Sequence, residues 1–110
     1  MTNLWTEDSV LDGRVRLRQR KDGYRAGMDA ALLAAACDAR DDERVIDVGC
    51  GVGGAMLAAA ARRPGARFVG VERDPAALDL ARQNIALNGW EARVKALEGD
   101  IALPFSKLGL

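Results

Sequence analysis

The sequence has 110 residues, of which 49% are hydrophobic, 29% charged and 5% aromatic, a composition typical of one small folded domain. Sixteen basic residues balance sixteen acidic ones, so net charge gives no argument for nucleic-acid binding and only a local patch could. No apolar run is long enough for a membrane span, and the amino terminus lacks the layout of a signal peptide, so we expect a cytoplasmic protein. With two cysteines and no histidine, the chain offers neither a disulfide scaffold nor a Ser-His-Asp triad.

The first part of the chain predicts one strand and one helix. Residues 14–20 alternate arginines with other residues, which predicts a strand with Val15 and Leu17 facing inward and the arginines facing outward. This arginine face is either solvated or contacts an RNA backbone. Residues 28–39 are apolar nearly all round and rich in helix formers, which predicts a buried helix.

The rest of the chain alternates β-branched runs with helical segments. Strands are predicted at residues 45–48, 68–72 and 92–97, and helices at residues 55–63 and 75–88. Asp74 and Pro75 are typical of an N-cap and a first helical residue, and Gly89 is typical of a C-cap. This order indicates an α/β fold in which a parallel sheet is flanked by helices. The carboxyl ends of parallel strands share one edge, where ligands bind.

A glycine-rich loop follows the first of these strands. Gly49, Gly51 and Gly54 formally match the G-x-G-x-x-G pattern, and Glu72 follows about 20 residues later, as in a dinucleotide site. Asp47 precedes this loop, however, and its carboxylate would repel a pyrophosphate but tolerate a cation.

Two acidic residues follow the next two strands. Glu72 can accept hydrogen bonds from both hydroxyls of a ribose, and Asp100 can reach an adenine amine. Together with Asp47, this series favours a ligand that has a positive head, a ribose and an adenine. S-adenosylmethionine is such a ligand.

Three segments resemble the first three motifs of class I methyltransferases: residues 45–53 (VIDVGCGVG), 70–73 (GVER) and 98–101 (EGDI). Residues 23–35 resemble the segment that precedes these motifs in the bacterial "small-domain" group, and within it the tRNA1(Val) adenine-N6 methyltransferases. The resemblance implies a Rossmann-like fold, S-adenosyl-L-methionine as the cofactor, and the N6 of a tRNA adenine as the methyl acceptor.

The resemblance also implies that a set of residues along the strand ends and the upstream segment binds the cofactor. This set comprises Tyr24, Arg25 and Asp29 at the methionine end, Asp47, Gly49, Cys50, Gly51 and Gly53 around the glycine loop, Glu72 and Arg73 near the ribose, and Asp100 and Ile101 at the adenine. Cys50 is expected to fill space in the loop and not to act as a nucleophile, since no histidine could activate it.

One motif of the family is missing from this sequence. The family carries Asn-Pro-Pro-Tyr after its fourth strand, whereas the prolines here are isolated at Pro64, Pro75 and Pro104. We therefore expect residues 1–110 to form the amino-terminal, cofactor-binding portion of a single methyltransferase domain, with its catalytic residues beyond Leu110. Such a portion should be inactive alone, contain no metal site, and self-associate through a bare sheet edge.

Two alternatives to a tRNA methyltransferase stay open at this point. The same fold could act on rRNA, on a protein glutamine or on a small molecule. In a different functional class, the glycine loop could belong to a dinucleotide-binding oxidoreductase domain.

Overall fold

The computed structural model describes residues 5–10, 13–20 and 38–100, which form two sheets and two helices. An antiparallel hairpin consists of β1 (Trp5–Val10) and β2 (Val15–Arg20). A parallel sheet has the strand order β3-β4-β5, with strands Arg44–Val48, Arg67–Glu72 and Val94–Glu98. Helix α1 (Gly54–Arg62) connects β3 to β4, and helix α2 (Pro75–Leu87) connects β4 to β5. No helix in this described part is long and apolar enough to cross a membrane.

The predicted alternation of strands and helices over residues 45–98 is confirmed, with ends displaced by a residue or two. The start of α2 follows its sequence signal, since the Asp74 carboxylate accepts a hydrogen bond from the Ala76 amide and Pro75 is the first helical residue. Gly89 follows the helix with a φ of 72°, as expected of a C-terminal glycine. Most of the helix predicted at residues 28–39 lies outside the described residues, and its end at 38–39 is not helical.

Strand β1 was not predicted from the sequence. Its central residues, Thr6 to Ser9, are polar and show no alternation of apolar side chains. The segment is a strand because its backbone pairs with β2 over the full register from Trp5↔Arg20 to Val10↔Val15. The structure therefore adds a hairpin to the α/β architecture that the sequence indicated.

Both helices lie between the hairpin and one face of the parallel sheet. The two crossovers step in the same direction along the sheet, and right-handed crossovers then place both helices on the same face. Phe68 and Val94 from the sheet share one core with Val15 and Leu17 from the hairpin, and none of the four is more than 1% exposed. The inward orientation predicted for Val15 and Leu17 is confirmed, and helices flank the sheet on the face that the described residues cover.

The predicted arginine face of the hairpin is engaged within the protein. Arg14 donates to the Ala61 carbonyl near the end of α1, at 2.6 Å. Arg16 forms a salt bridge with Glu7, and its hydrogen bond to this carboxylate lowers the pKa of Glu7. Arg18 lies 3.5 Å from the same carboxylate and donates to the Gln83 side chain at 2.8 Å. These contacts attach the hairpin to itself and to the helices, while the Arg16 side chain remains 54% exposed.

The opposite face of the sheet carries exposed apolar side chains at its β3 edge. Ile46 and Val48 are 41% and 42% exposed, and within the described residues β3 pairs only with β4. We propose that residues 1–110 self-associate through this edge and face, because unpaired strand edges and apolar surface favour association. Sedimentation velocity at micromolar concentrations should show a concentration-dependent dimer or larger species. A single monomeric boundary at every concentration would show that this face is covered within one chain.

Candidate functional site

The carboxyl ends of the three parallel strands meet at one edge of the sheet and form a cleft. The parallel register places Val48 beside Val71 and Glu72 beside Glu98, so the segments after the strands are neighbours. A cavity of about 330 Å³ opens there, and its lining residues are Gly49, Val71, Glu72, Arg73, Gly99 and Asp100. The structure thus brings together four of the residues predicted for the site: Gly49, Glu72, Arg73 and Asp100.

The glycine loop between β3 and α1 turns sharply at the mouth of this cleft. Gly49 and Gly51 have φ angles of 75° and 57°, a left-handed conformation that side-chain-bearing residues rarely adopt. The amides of Gly49 and Cys50 both donate to the Val71 carbonyl, at 2.7 and 3.1 Å, which fixes the start of the loop against β4. Gly53 is buried and caps α1, so the loop passes directly into the helix.

The Glu72 carboxylate holds two backbone segments at once. One of its oxygens, Oε1, accepts a hydrogen bond from the Gly51 amide at 2.8 Å, and Oε2 accepts one from the Asp74 amide at the same distance. An ionised carboxylate can accept about four hydrogen bonds, so each oxygen retains a lone pair for a further donor. Glu72 is half-buried in the cleft lining, where those lone pairs can meet a ligand.

Asp47 is the penultimate residue of β3 and is partly buried near Glu72. Burial disfavours its charged form and the negative charge of Glu72 adds to this effect, so the pKa of Asp47 is raised. A positively charged group beside Asp47 would favour the ionised carboxylate. This arrangement is suited to a cation and unsuited to a phosphate.

Cys50 contributes its backbone to the loop, while its side chain belongs to the core. The residue is 8% exposed, and a Cβ atom at Gly70 would come within 2.7 Å of its Sγ, so the thiol packs directly over that glycine. Burial first, and then the charges of Asp47 and Glu72, raise the pKa of the Cys50 thiol to about 12. A thiol that stays protonated is a poor nucleophile, which agrees with the space-filling role expected for Cys50.

The remaining predicted residues have different positions. Gly51 does not line the cleft, but its amide donates to the Glu72 carboxylate, which does. Asp47, Cys50 and Gly53 also do not line the cleft. Tyr24, Arg25, Asp29 and Ile101 lie outside the described residues. Among the residues that the structure describes, no group of acidic or cysteine side chains could hold a metal ion.

Sequence reasoning missed two asparagines at the carboxyl-terminal end of α2: Asn84 lies in the last turns of the helix, and Asn88 directly follows it. Asn84 is fully buried, and it donates to the Val52 carbonyl in the glycine loop at 2.9 Å. The available signal was the spacing of Leu80, Asn84 and Asn88, which places two amides in line with a buried leucine on successive turns.

The sequence of this chain is similar to those of known methyltransferases. A model of the methyltransferase domain matches residues 39–108. The tRNA1(Val) (adenine(37)-N6)-methyltransferase of Flavobacteriaceae bacterium (strain 3519-10) is 31% identical over 84 residues, which are 76% of this chain and 36% of that protein. The protein of the same name from Dickeya chrysanthemi is 40% identical, over 70% of this chain and 31% of its own length. The chain therefore spans about a third of the length of these relatives.

Two solved structures show the same architecture. Pyrococcus horikoshii TYW2 in complex with MeSAdo superposes with a TM-score of 0.75 at 24% identity, covering 94% of this chain and 39% of the other. An SAM-dependent methyltransferase from Thiobacillus denitrificans in complex with S-adenosyl-L-homocysteine gives a TM-score of 0.60 at 26% identity, covering 70% and 31%. The predicted α/β fold with a Rossmann-like parallel sheet is thus confirmed. The match over residues 39–108 includes the glycine loop, Glu72 and Asp100, and with it the chain belongs to the methyltransferase-domain family.

Proposed function

We propose that this chain binds S-adenosyl-L-methionine in the cleft at the strand ends, as the cofactor-binding portion of a methyltransferase. The observation that carries the proposal is the Glu72 carboxylate, which lines the cleft, fixes the glycine loop and retains lone pairs for ribose hydroxyls. The family model and the relatives support the same cofactor class.

The residues present fit the chemistry of this cofactor. Bound S-adenosylmethionine supplies a methyl group activated on a positively charged sulfur. Glu72 would accept the ribose hydroxyls, and Asp100 would accept the adenine amine from the other wall of the cleft. The loop from Gly49 to Gly53 would hold the methionine part, where Asp47 favours a cationic neighbour. Arg73 borders the same cleft and would lie against the adenosine.

The geometry disfavours the alternative of a dinucleotide-binding oxidoreductase domain. In that class the amides of the glycine loop face a pyrophosphate at the start of the helix. Here the Gly51 amide is occupied by the Glu72 carboxylate at 2.8 Å. A phosphate would have to displace the Glu72 carboxylate from the Gly51 amide and would still lie close to its negative charge. The carboxylate of Asp47 would repel the phosphate as well.

Calorimetric titration with S-adenosylhomocysteine and with NAD tests the proposed cofactor. We expect saturable binding of S-adenosylhomocysteine and an affinity for NAD lower by at least about tenfold, because the repulsion and the lost hydrogen bond act only on the pyrophosphate. Adenosine serves as a control, since both ligands contain it. Tighter binding of NAD than of S-adenosylhomocysteine would contradict the proposal.

Substitution of Glu72 tests the residue on which the site depends. We expect Glu72→Gln to weaken S-adenosylhomocysteine binding by roughly 1–3 kcal/mol, because the amide nitrogen cannot accept and one donor at the site loses its acceptor. Glu98→Gln is the matched control: Glu98 is the register partner of Glu72, is exposed and does not line the cleft. Equal affinities for the two variants would remove Glu72 from the site.

We further propose that the methyl acceptor of the whole protein is an adenine N6 in tRNA. The support is the name shared by the relatives, at 31% and 40% identity, together with the resemblance of residues 23–35. An RNA acceptor makes RNA the partner of the whole protein, and it accords with a cytoplasmic location. The alternatives are an rRNA base, a protein glutamine or a small molecule.

A transfer assay with the full-length protein distinguishes these acceptors. We expect a labelled methyl group from S-adenosylmethionine to enter unmodified tRNA and to be recovered as N6-methyladenosine. Ribosomal RNA and cell protein serve as parallel acceptors under the same conditions. Label recovered in rRNA or in protein but not in tRNA would contradict this acceptor and leave the cofactor proposal intact.

A further inference from the structure

We propose that Asn84 is a positioning residue that couples docking of the hairpin to the conformation of the glycine loop. Through it, ligand binding at the loop and packing of β2 on α2 would stabilise each other. The functional part of this proposal rests on the loop being the cofactor-binding loop. The coupling itself rests only on contacts within the protein.

Every polar position of the Asn84 side chain has a partner. Its Oδ1 accepts from the Arg18 amide at 2.6 Å, and its Nδ2 donates to the Arg18 carbonyl at 3.0 Å. The second hydrogen of Nδ2 goes to the Val52 carbonyl at 2.9 Å. The side chain is fully buried, so no water replaces a lost partner without an opening of the core. One amide therefore joins the hairpin, the helix and the loop.

Asn88, four residues later, makes the same kind of paired contact with β2, but at Arg16, and it does not bond to the loop. Its Oδ1 accepts from the Arg16 amide at 2.9 Å, and its Nδ2 donates to the Arg16 carbonyl at 2.7 Å. Four helical residues rise about 6 Å and two strand residues about 6.8 Å, which is why successive amides meet alternate residues of β2. The third bond of Asn88 goes to the Asn84 carbonyl of its own helix and not to the loop.

The loop is consequently fastened from two sides. Glu72 accepts from the Gly51 amide on the side of the cleft. Asn84 donates to the carbonyl of the following residue, Val52, on the side of the hairpin. Glycines at positions 49, 51 and 53 have no side chains with which to anchor the turn. If β2 separates from α2 at Arg18, the Asn84 side chain loses one donor and one acceptor there, and these two bonds no longer orient its amide towards the Val52 carbonyl. By linkage, a ligand that orders the loop must favour the docked hairpin by the same factor.

Native-state hydrogen exchange on the unmodified chain tests the coupling without any ligand. The Arg18 amide donates to Asn84, and the Gly53 amide donates to the Cys50 carbonyl within the loop. We expect the two amides to exchange through one opening reaction, with the same dependence on urea. Exchange of Gly53 through a smaller opening, while Arg18 stays protected, would overturn the coupling.

Ligand affinity of two variants tests the functional part. Asn84→Ala and Asn88→Ala each remove a pair of bonds to β2, but only Asn84→Ala removes the bond to the loop. We expect Asn84→Ala to weaken S-adenosylhomocysteine binding by about tenfold and Asn88→Ala to change it by less than about twofold. Thermal unfolding of both variants reports the shared loss of hairpin docking.

The outcomes separate this proposal from the proposed function. Equal weakening by both variants would show a general effect of hairpin loss and overturn the special role of Asn84. If Asn84→Ala does not fold, the urea dependence of Arg18 and Gly53 in the unmodified chain still decides the coupling. Absence of S-adenosylhomocysteine binding by the unmodified chain would defeat the cofactor proposal, while the exchange result would stand.

Discussion

The Glu72 carboxylate is the interaction on which the site depends, because it lines the cleft and bonds to two chain segments at once. One segment is the glycine loop at Gly51, and the other is the start of α2 at Asp74. Asp74 in turn caps the helix through the Ala76 amide. A carboxylate suits this position because it only accepts, and both neighbours only donate. A side-chain amide would set its NH2 group, a donor, against one of these two N–H donors.

The same carboxylate sets the electrostatics of the loop. Glu72 and Asp47 place negative charge beside it, and burial first, then the charge of Glu72, raises the pKa of Asp47. The arrangement opposes anionic ligands and favours cationic ones, while the neutral Cys50 thiol adds no charge. Although the glycine spacing resembles that of a dinucleotide site, these acidic side chains select a different ligand chemistry. Spacing of glycines indicates that a backbone turns closely past a ligand, and the side chains around it decide which ligand that is.

The sequence predicted those features that arise from local patterns. The β-branched runs, the Asp74-Pro75 helix start and the position of Gly49 at a strand end are local, and all three agree with the structure. Features that arise from pairing between distant segments were not predicted. Strand β1 exists through its pairing with β2, and the arginines of β2 bond to residues up to 72 positions away in the chain, as Arg16 does to Asn88. The hydrogen bond from the Gly51 amide to the Glu72 carboxylate, across 21 residues of chain, is of the same kind.

Asn84 and Asn88, at the carboxyl-terminal end of α2, show how polar side chains serve a strand edge that packs on a helix. A hairpin strand that packs on a helix presents an outer row of amides and carbonyls, and no backbone of the helix is free to pair with it. An apolar side chain at position 84 would leave the Arg18 amide and carbonyl without these partners, at a cost of about 1–3 kcal/mol for each group. Asn84 and Asn88 supply a donor and an acceptor at the spacing of alternate strand residues, and so act as a substitute strand. Because Asn84 also donates to the Val52 carbonyl, the hydrogen bonds that join the hairpin to α2 extend to the glycine loop.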